Sequence, residues 1–334
     1  MTRPTAEVAE GPEPARRRAT ARAVVVLALV AVAAVIPLLG PRAALDCTGE
    51  AAAPGVGGIA LLRTVLFAAL CVPAGELFAA RLARRVPGAP LVDAPRSWAP
   101  FAAAVGFVAA LGLASVVATG NLVPDQLSDM DIGGLYQTRE GKLALLEVNA
   151  FAATGLCLLY SRPALQVWPL AAVAVAEALR AHPATEYSPL VGSGLTLVHV
   201  ICAALWAGGL LHVLRMLRNW GPSSVGVALL GLYARVAAVL FAALTATGTW
   251  SALRRMPPGT VLDQLTATAY GRALLAKLLL VAAVAVLALC ARVRLRRATD
   301  PLSACSPARA EVVALGLVVV VSGVLTALPL PIRW

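Results

Sequence analysis

Apolar residues run through the chain in nine stretches, divided by short segments that are rich in proline and charged residues. A helix needs about 20 predominantly apolar residues to cross the hydrocarbon core of a bilayer. Prolines stand at the breaks, as at Pro54 in the first loop and at Pro257-Pro258 in the seventh. The stretches predict helices over 22–40, 56–80, 98–119, 142–160, 163–181, 193–217, 225–250, 271–291 and 309–328. We therefore expect an all-α, polytopic transmembrane helical bundle with about nine spans.

Basic residues mark one side of the predicted membrane. With a cytoplasmic N-terminus, the inside segments hold most of the 28 Lys and Arg residues, while the outer loops are comparatively acidic. This distribution obeys the positive-inside rule and predicts a multi-pass membrane protein with a cytoplasmic N-terminus. Residues 1–21 are expected to form a disordered cytoplasmic tail. We expect the first helix to be retained rather than cleaved, because its apolar run is long and no small-x-small site follows.

Composition and motifs argue against several classes of function. The chain of 334 residues is 60% hydrophobic and 13% charged, whereas a soluble domain has about 25% charged residues. The net charge of +11 could suggest nucleic acid, but the basic residues lie in short segments between apolar runs. They are typical of charges that orient helices, so no nucleic-acid partner is expected. HExxH, GxSxG, Walker and CxxC motifs are absent from the sequence, and we expect no enzymatic activity.

Two stretches about 130 residues apart resemble one another and indicate an internal duplication. Thr138-Arg-Glu-Gly141-Lys142 has its counterpart in Thr268-Ala-Tyr-Gly271-Arg272. Both stretches open a predicted helix that crosses the membrane in the same sense. This indicates a parallel repeat of four helices plus four, with a ninth helix appended. We divide the chain into an N-terminal four-helix repeat at 22–160 and C-terminal helices at 161–334.

The polar residues inside apolar runs are the candidates for chemistry. His199 lies inside the sixth predicted helix, and a polar group there marks a functional site. Cys202 follows at i+3, and imidazole with sulfur suits a soft cation such as Cu(I). His182 stands in the loop before this helix. Glu147 and Lys277 occupy equivalent positions of the repeat, and their opposite signs make a buried ion pair plausible.

The C-terminal part resembles the bacterial copper-resistance D (CopD) family of membrane proteins. His199, Trp206 and Gly208-Gly209 resemble the family's "H-x5-6-W-x-G-G-L" helix, and His182 stands where the family has a Gly-His-Ala element. The stretch Thr268–Arg272 followed by Lys277 resembles its "T-x-Y-G-R-x4-K" signature. The chain is also similar to the CopD-like half of actinobacterial fusions to a cytochrome oxidase assembly domain.

The resemblance implies copper handling in the inner membrane, with uptake toward the cytoplasm. It makes His182 and His199 the candidate ligands of Cu(I) or Cu(II), and Cys202 is the third residue that we assign to the metal site. The residues Arg180-Ala181 before His182 depart from the family's small-Gly pair, which leaves the outer capture step open. A CopC-like extracytoplasmic copper chaperone or an oxidase assembly factor is the protein partner that the resemblance implies.

Two other functions stay open at this stage. The protein could act as a copper-delivery or oxidase assembly scaffold without transporting the ion. It could also bind haem, since His199 and His212 lie 13 residues apart on one predicted helix, a separation of about 20 Å. Two bis-histidine haems need four histidines, and this chain has three. The haem alternative therefore has less support than the copper one.

Overall fold

A computed structural model of the protein describes residues 12–120, 131–160, 162–182, 188–221, 223–256, 259–297 and 305–330. These residues form α-helices and two short 3₁₀ turns, and no strand is found among them. The helices are α1 Pro12–Leu45, α2 Val56–Ala83, α3 Ala99–Thr119, α4 Ile132–Gln137, α5 Arg139–Leu159, α6 Val167–Arg180, α7 Pro189–Trp220, α8 Ser224–Arg255, α9 Val261–Ala267, α10 Ala269–Arg297 and α11 Cys305–Ala327. The prediction of an all-α polytopic bundle is confirmed.

Eight of the described helices are long and apolar enough to cross a membrane, namely α1, α2, α3, α5, α7, α8, α10 and α11. The remaining predicted span is α6, which has only 14 residues and follows the 3₁₀ turn Pro163–Gln166. Arg139, at the start of α5, donates to the carbonyl oxygens of Leu179 and His182 at 2.7 and 3.2 Å. The short helix α6 therefore returns the chain to the level at which α5 begins. We call that level the outer end of the bundle and the opposite level the inner end.

The first helix is longer than the sequence predicted. It begins at Pro12 and continues through Pro37 and Pro41 to Leu45. Residues 12–21, which we expected to be disordered, are helical, and the alanines and arginines of this segment are good helix formers. Residues 1–11 of the predicted tail lie outside the described residues.

Two helices, α2 and α7, cross at the centre of the bundle with their backbones in contact. A Cβ atom on Gly208 would overlap with the carbonyl oxygen of Cys71, and one on Gly75 would overlap with the backbone of Gly208. Side chains smaller than a methyl group are therefore required at this crossing. The crossing holds α7, which carries His199 and Cys202, against the N-terminal half of the bundle.

The repeated stretch has the same local structure in both halves. Thr138 ends the short helix α4 and Thr268 ends α9, and each hydroxyl accepts from the glycine three residues later, at 3.1 Å from Gly141 and 3.0 Å from Gly271. Each hydroxyl also donates to the carbonyl oxygen four residues earlier, at 2.7 Å. We expected the first helix to belong to the repeat and the ninth to be appended. If the two caps mark equivalent positions, α2–α6 correspond to α7–α11 instead, and α1 lies outside the repeat. Across the centre, α6 packs against α7 and α11 packs against α2.

The two halves differ in one contact. In the first half α3 packs closely on α5, whereas the equivalent helices α8 and α10 barely touch. The gap between them holds a cavity of about 210 Å³ that is also bounded by α7 and α11. The second half is therefore the more open one.

Candidate metal site

His182 lies between α6 and α7 and is almost completely buried. Its Nε2 atom is 2.9 Å from the hydroxyl of Thr196 on α7. Its ring rests on Gly192, where a Cβ atom would overlap with Nδ1. Arg139 holds the backbone oxygen of His182 from α5 at 3.2 Å. The imidazole is thus docked on the first turns of α7 rather than extended from a loop.

His199 is half-buried and faces α8. Its Nδ1 atom is 3.0 Å from the hydroxyl of Thr247, and a Cβ atom on Gly248 would be 3.3 Å from its Cε1 atom. The Thr247 hydroxyl donates its single hydrogen to the carbonyl oxygen of Ala243 at 2.7 Å. In the tautomer consistent with this bond, the hydroxyl accepts from Nδ1–H of His199, and the lone pair lies on Nε2. A neutral imidazole with an oriented Nδ1–H and a basic Nε2 is the form that binds metals.

The contacts of the two imidazoles with α7 lie on neighbouring turns of that helix. Thr196, which anchors His182, and His199 are three residues apart, so they share a helix face with a rise of about 4.5 Å between them. Cys202 is one further turn inward at i+3 and has a free thiol. It is buried in an apolar cluster that also contains Trp206 and Leu240.

The described residues contain no group of three or more His, Cys, Asp or Glu side chains that could hold a metal ion. His199 and Cys202 lie on α7 and His182 contacts α7 at Thr196, but the three side chains do not form such a group. Their assignment as ligands stays a prediction. The geometry gives the order of the three groups from the outer end inward, which is His182, His199 and Cys202.

A buried ion network lies next to His182, and the sequence prediction missed it. Arg180 Nη1 is 2.9 Å from Glu147 Oε2 and 3.1 Å from Glu177 Oε1. Arg63 of α2 binds both oxygens of Glu177 at 2.9 and 2.8 Å. The expected pair of Glu147 with Lys277 is therefore wrong. Packing of α5 on α6 gives Glu147 a nearer cation, whereas Lys277 lies on α10 in the other half.

This network has two buried carboxylates and two guanidinium groups, so its charges balance. Removing one member of a buried pair leaves an uncompensated charge, which costs about 3–5 kcal/mol. Arg180 is two residues before His182, and the network joins the end of α6 to Glu147 of α5 and to Arg63 of α2. The network consequently fixes the end of α6 and, with it, the position of His182. The signal in the sequence was the i,i+3 spacing of Glu177 and Arg180 on a short apolar helix.

Two further carboxylates are buried toward the inner end. Glu76 accepts from Ser97 Oγ at 2.5 Å, from the backbone N–H of Trp98 at 2.8 Å and from Arg215 Nη1 at 3.0 Å. His212 Nδ1 lies 3.8 Å from the same carboxylate. This histidine therefore belongs to a structural cluster that ties α2 and α3 to α7.

Glu311 of α11 lines the cavity between α8 and α10. Its Oε1 atom accepts from Trp206 Nε1 at 3.2 Å, and Tyr233 OH donates to the carbonyl oxygen of Trp206 at 2.6 Å. Arg292 lines the same cavity and donates to the carbonyl oxygen of Ala234. Trp206 thus links α11 to α7 two turns inward of His199.

The fold and these polar clusters define a multi-pass helical membrane protein with histidines at its outer end. The model of the family described as copper resistance protein D (CopD) matches residues 227–328, from the first turn of α8 to just beyond α11. This match confirms the resemblance to the CopD family found in the sequence, over the residues from α8 to α11. The matched residues include Thr247, Gly248 and Lys277, whereas His182, His199 and Cys202 precede them. No curated protein and no solved structure matches the chain.

Proposed function

We propose that this copper-resistance membrane protein moves copper ions across the bacterial plasma membrane, with His182 and His199 as ligands at the outer end. The observation that carries the proposal is the hydrogen bonding of His199. Its Nδ1 atom is 3.0 Å from the hydroxyl of Thr247, a residue inside the segment that matches the CopD family. We assign the ring proton to Nδ1 because the hydroxyl donates to Ala243, and Nε2 is then the donor atom for copper. In this proposal the N-terminus is cytoplasmic, and copper enters from the opposite side.

The chemistry of the three groups suits a cation that is passed on rather than held. Imidazole and sulfur are suitable ligands for Cu(I) and permit low coordination numbers. Three positions on α7 are spaced three residues apart: Thr196, which contacts His182, then His199, and then Cys202. Each interval corresponds to a rise of about 4.5 Å. A copper ion could therefore exchange one ligand at a time as it moves inward.

The alternative function is delivery of copper to an extracytoplasmic CopC-like partner or to an oxidase assembly factor. It is favoured by the position of the three candidate ligands, which all lie in the outer half of the bundle. A haem site made by His199 and His212 is disfavoured, because both residues stand on α7 and have partners on different helices. The proposed role is ion binding and movement, without a catalysed reaction.

The test measures copper uptake by vesicles reconstituted with the purified full-length protein. The copper content of cells that express the protein is measured in parallel. We expect uptake above that of empty vesicles, and its loss in His182→Ala and His199→Ala. His212→Gln is the matched control, because it changes the third histidine outside the proposed path, and it should retain uptake. Unchanged uptake in both outer variants would remove the ligand assignment. Copper binding without uptake by wild type would favour delivery.

A further inference from the structure

A second and larger cavity lies between α2, α6 and α7 and reaches the inner end of the bundle. Its volume is about 880 Å³, which is within the range of about 300–1,000 Å³ that is typical of ligand sites. It exists because α6 begins only at Val167, so the inner part of this half lacks a full-length fourth helix. Its walls are largely apolar and include six alanines, namely Ala74, Ala80, Ala164, Ala171, Ala174 and Ala204.

The cavity has a basic mouth. Arg81 and Arg84 line it in the last turns of α2 and, at i and i+3, lie on one face of that helix. Both side chains are exposed, and neither has an ion-pair partner among the residues that the structure describes. Glu76 also lines the cavity, but its carboxylate is already neutralised by Arg215 at 3.0 Å. The net charge at the mouth is therefore positive.

A buried polar group in the same cavity lacks a partner. Gln166, the last residue of the 3₁₀ turn before α6, is 2% exposed and lines the cavity. Its Oε1 atom has no hydrogen-bond partner in the described part of the chain. A buried acceptor without a partner is unfavourable, so a donor from a ligand would stabilise this arrangement.

We propose that this cavity binds an anionic phospholipid. The phosphate would lie between Arg81 and Arg84, one acyl chain would fill the alanine-lined interior, and Gln166 Oε1 would accept from a headgroup hydroxyl. Basic pockets between membrane helices are recognised sites for anionic headgroups, and an apolar interior continuous with the bilayer suits an acyl chain. The site is separate from the outer histidines and does not depend on the copper proposal.

The test uses purified, delipidated full-length protein in detergent and phosphatidylglycerol and phosphatidylcholine with identical acyl chains. Binding is measured by native mass spectrometry and by the shift in melting temperature. Wild type should bind phosphatidylglycerol in preference to phosphatidylcholine. In Arg81→Ala/Arg84→Ala the affinity should fall roughly 25-fold, at about fivefold for each arginine, which corresponds to about 1 kcal/mol each. Arg85→Ala is the matched control, because Arg85 is exposed and adjacent but does not line the cavity, and it should retain binding.

A second variant tests the acyl chain. Ala171 is an exposed residue of the cavity wall, so Ala171→Phe should fill the interior without disturbing the core, and it should weaken phosphatidylglycerol binding. Inorganic phosphate at millimolar concentration should not displace the lipid. Equal affinity of wild type for the two lipids, or full binding by the double arginine variant, would overturn the proposal. Displacement by phosphate alone would overturn it as well, since it would indicate a plain anion site.

Discussion

Replacement of Arg180 by methionine should destabilise the protein more than any other exchange of a single charged residue in the ion network. Glu147 is fully buried, and Arg180 is its ion-pair partner at 2.9 Å. Glu177 keeps both of its bonds to Arg63, so the variant leaves one uncompensated buried carboxylate. The expected loss is about 3–5 kcal/mol of the free energy of unfolding. At roughly 2–4 °C per kcal/mol, the melting temperature should fall by roughly 6–20 °C.

A double-mutant cycle separates the charge from the packing. Glu147→Gln together with Arg180→Met removes both members of the pair and should recover a large part of the lost stability. The expected coupling is about 2 kcal/mol, within the usual 0.5–3 kcal/mol for residues in contact. The assay is thermal unfolding in detergent at fixed lipid content, and Arg162→Met, at an exposed arginine of the inner end, is the control with an expected change below about 0.5 kcal/mol.

The same cycle connects the network to function. Because Arg180 is two residues before His182, the single variant should lose copper uptake in step with its stability, and the double variant should regain part of it. Two results would refute the reasoning. One is a melting temperature of Arg180→Met equal to that of Arg162→Met, and the other is a double variant no more stable than the single one. Either would mean that Glu147 finds compensation elsewhere.

Two further variants test the central crossing and the orientation of His199. Gly208→Ala should lower the melting temperature strongly, because its methyl group would overlap with the backbone of α2, while Gly231→Ala should be harmless because nothing lies within 4 Å of its Cβ position. Thr247→Val keeps the side-chain shape but removes the acceptor for Nδ1–H, so copper uptake should fall about as far as in His199→Ala while the melting temperature changes little. Thr245→Val, on an exposed face of the same helix, should leave uptake unchanged. Wild-type uptake in Thr247→Val would contradict the assigned tautomer.

The helices could be predicted because a membrane-spanning helix requires a long apolar run, and such a run is visible in a continuous stretch of sequence. Their ends were harder to predict. At α1 the polar residues after Pro12 are good helix formers, so helical structure continues where hydropathy stops. At α6 an apolar run of sufficient length contains a 3₁₀ turn, which leaves only 14 residues of α-helix.

The contacts of the candidate site could be predicted only in part. A glycine at position 208 permits a neighbouring helix to approach closely, and α2 does so in the structure. The pairing of Glu147 with Lys277 failed because equivalent positions of a parallel repeat share a depth in the membrane but belong to different halves of the bundle. The contact of His182 with Thr196 depends on how the end of α6 packs against α7. Local sequence patterns do not predict this packing.

The divergence of the two halves indicates where an ion could move. The helices α5 and α10 begin with the same threonine cap and the same glycine contact, so the local structure at these two positions is the same. In the first half α3 and α5 are tightly packed, and the nearby charges of Arg63, Glu147, Glu177 and Arg180 cancel one another. The carboxylates of this network are therefore already neutralised by arginines of the same half. In the second half α8 and α10 are separated, and His199 keeps a lone pair beside Thr247 on α8. A path for copper is therefore expected along α7 and α8, with the first half acting as the fixed frame that holds His182 at its outer end.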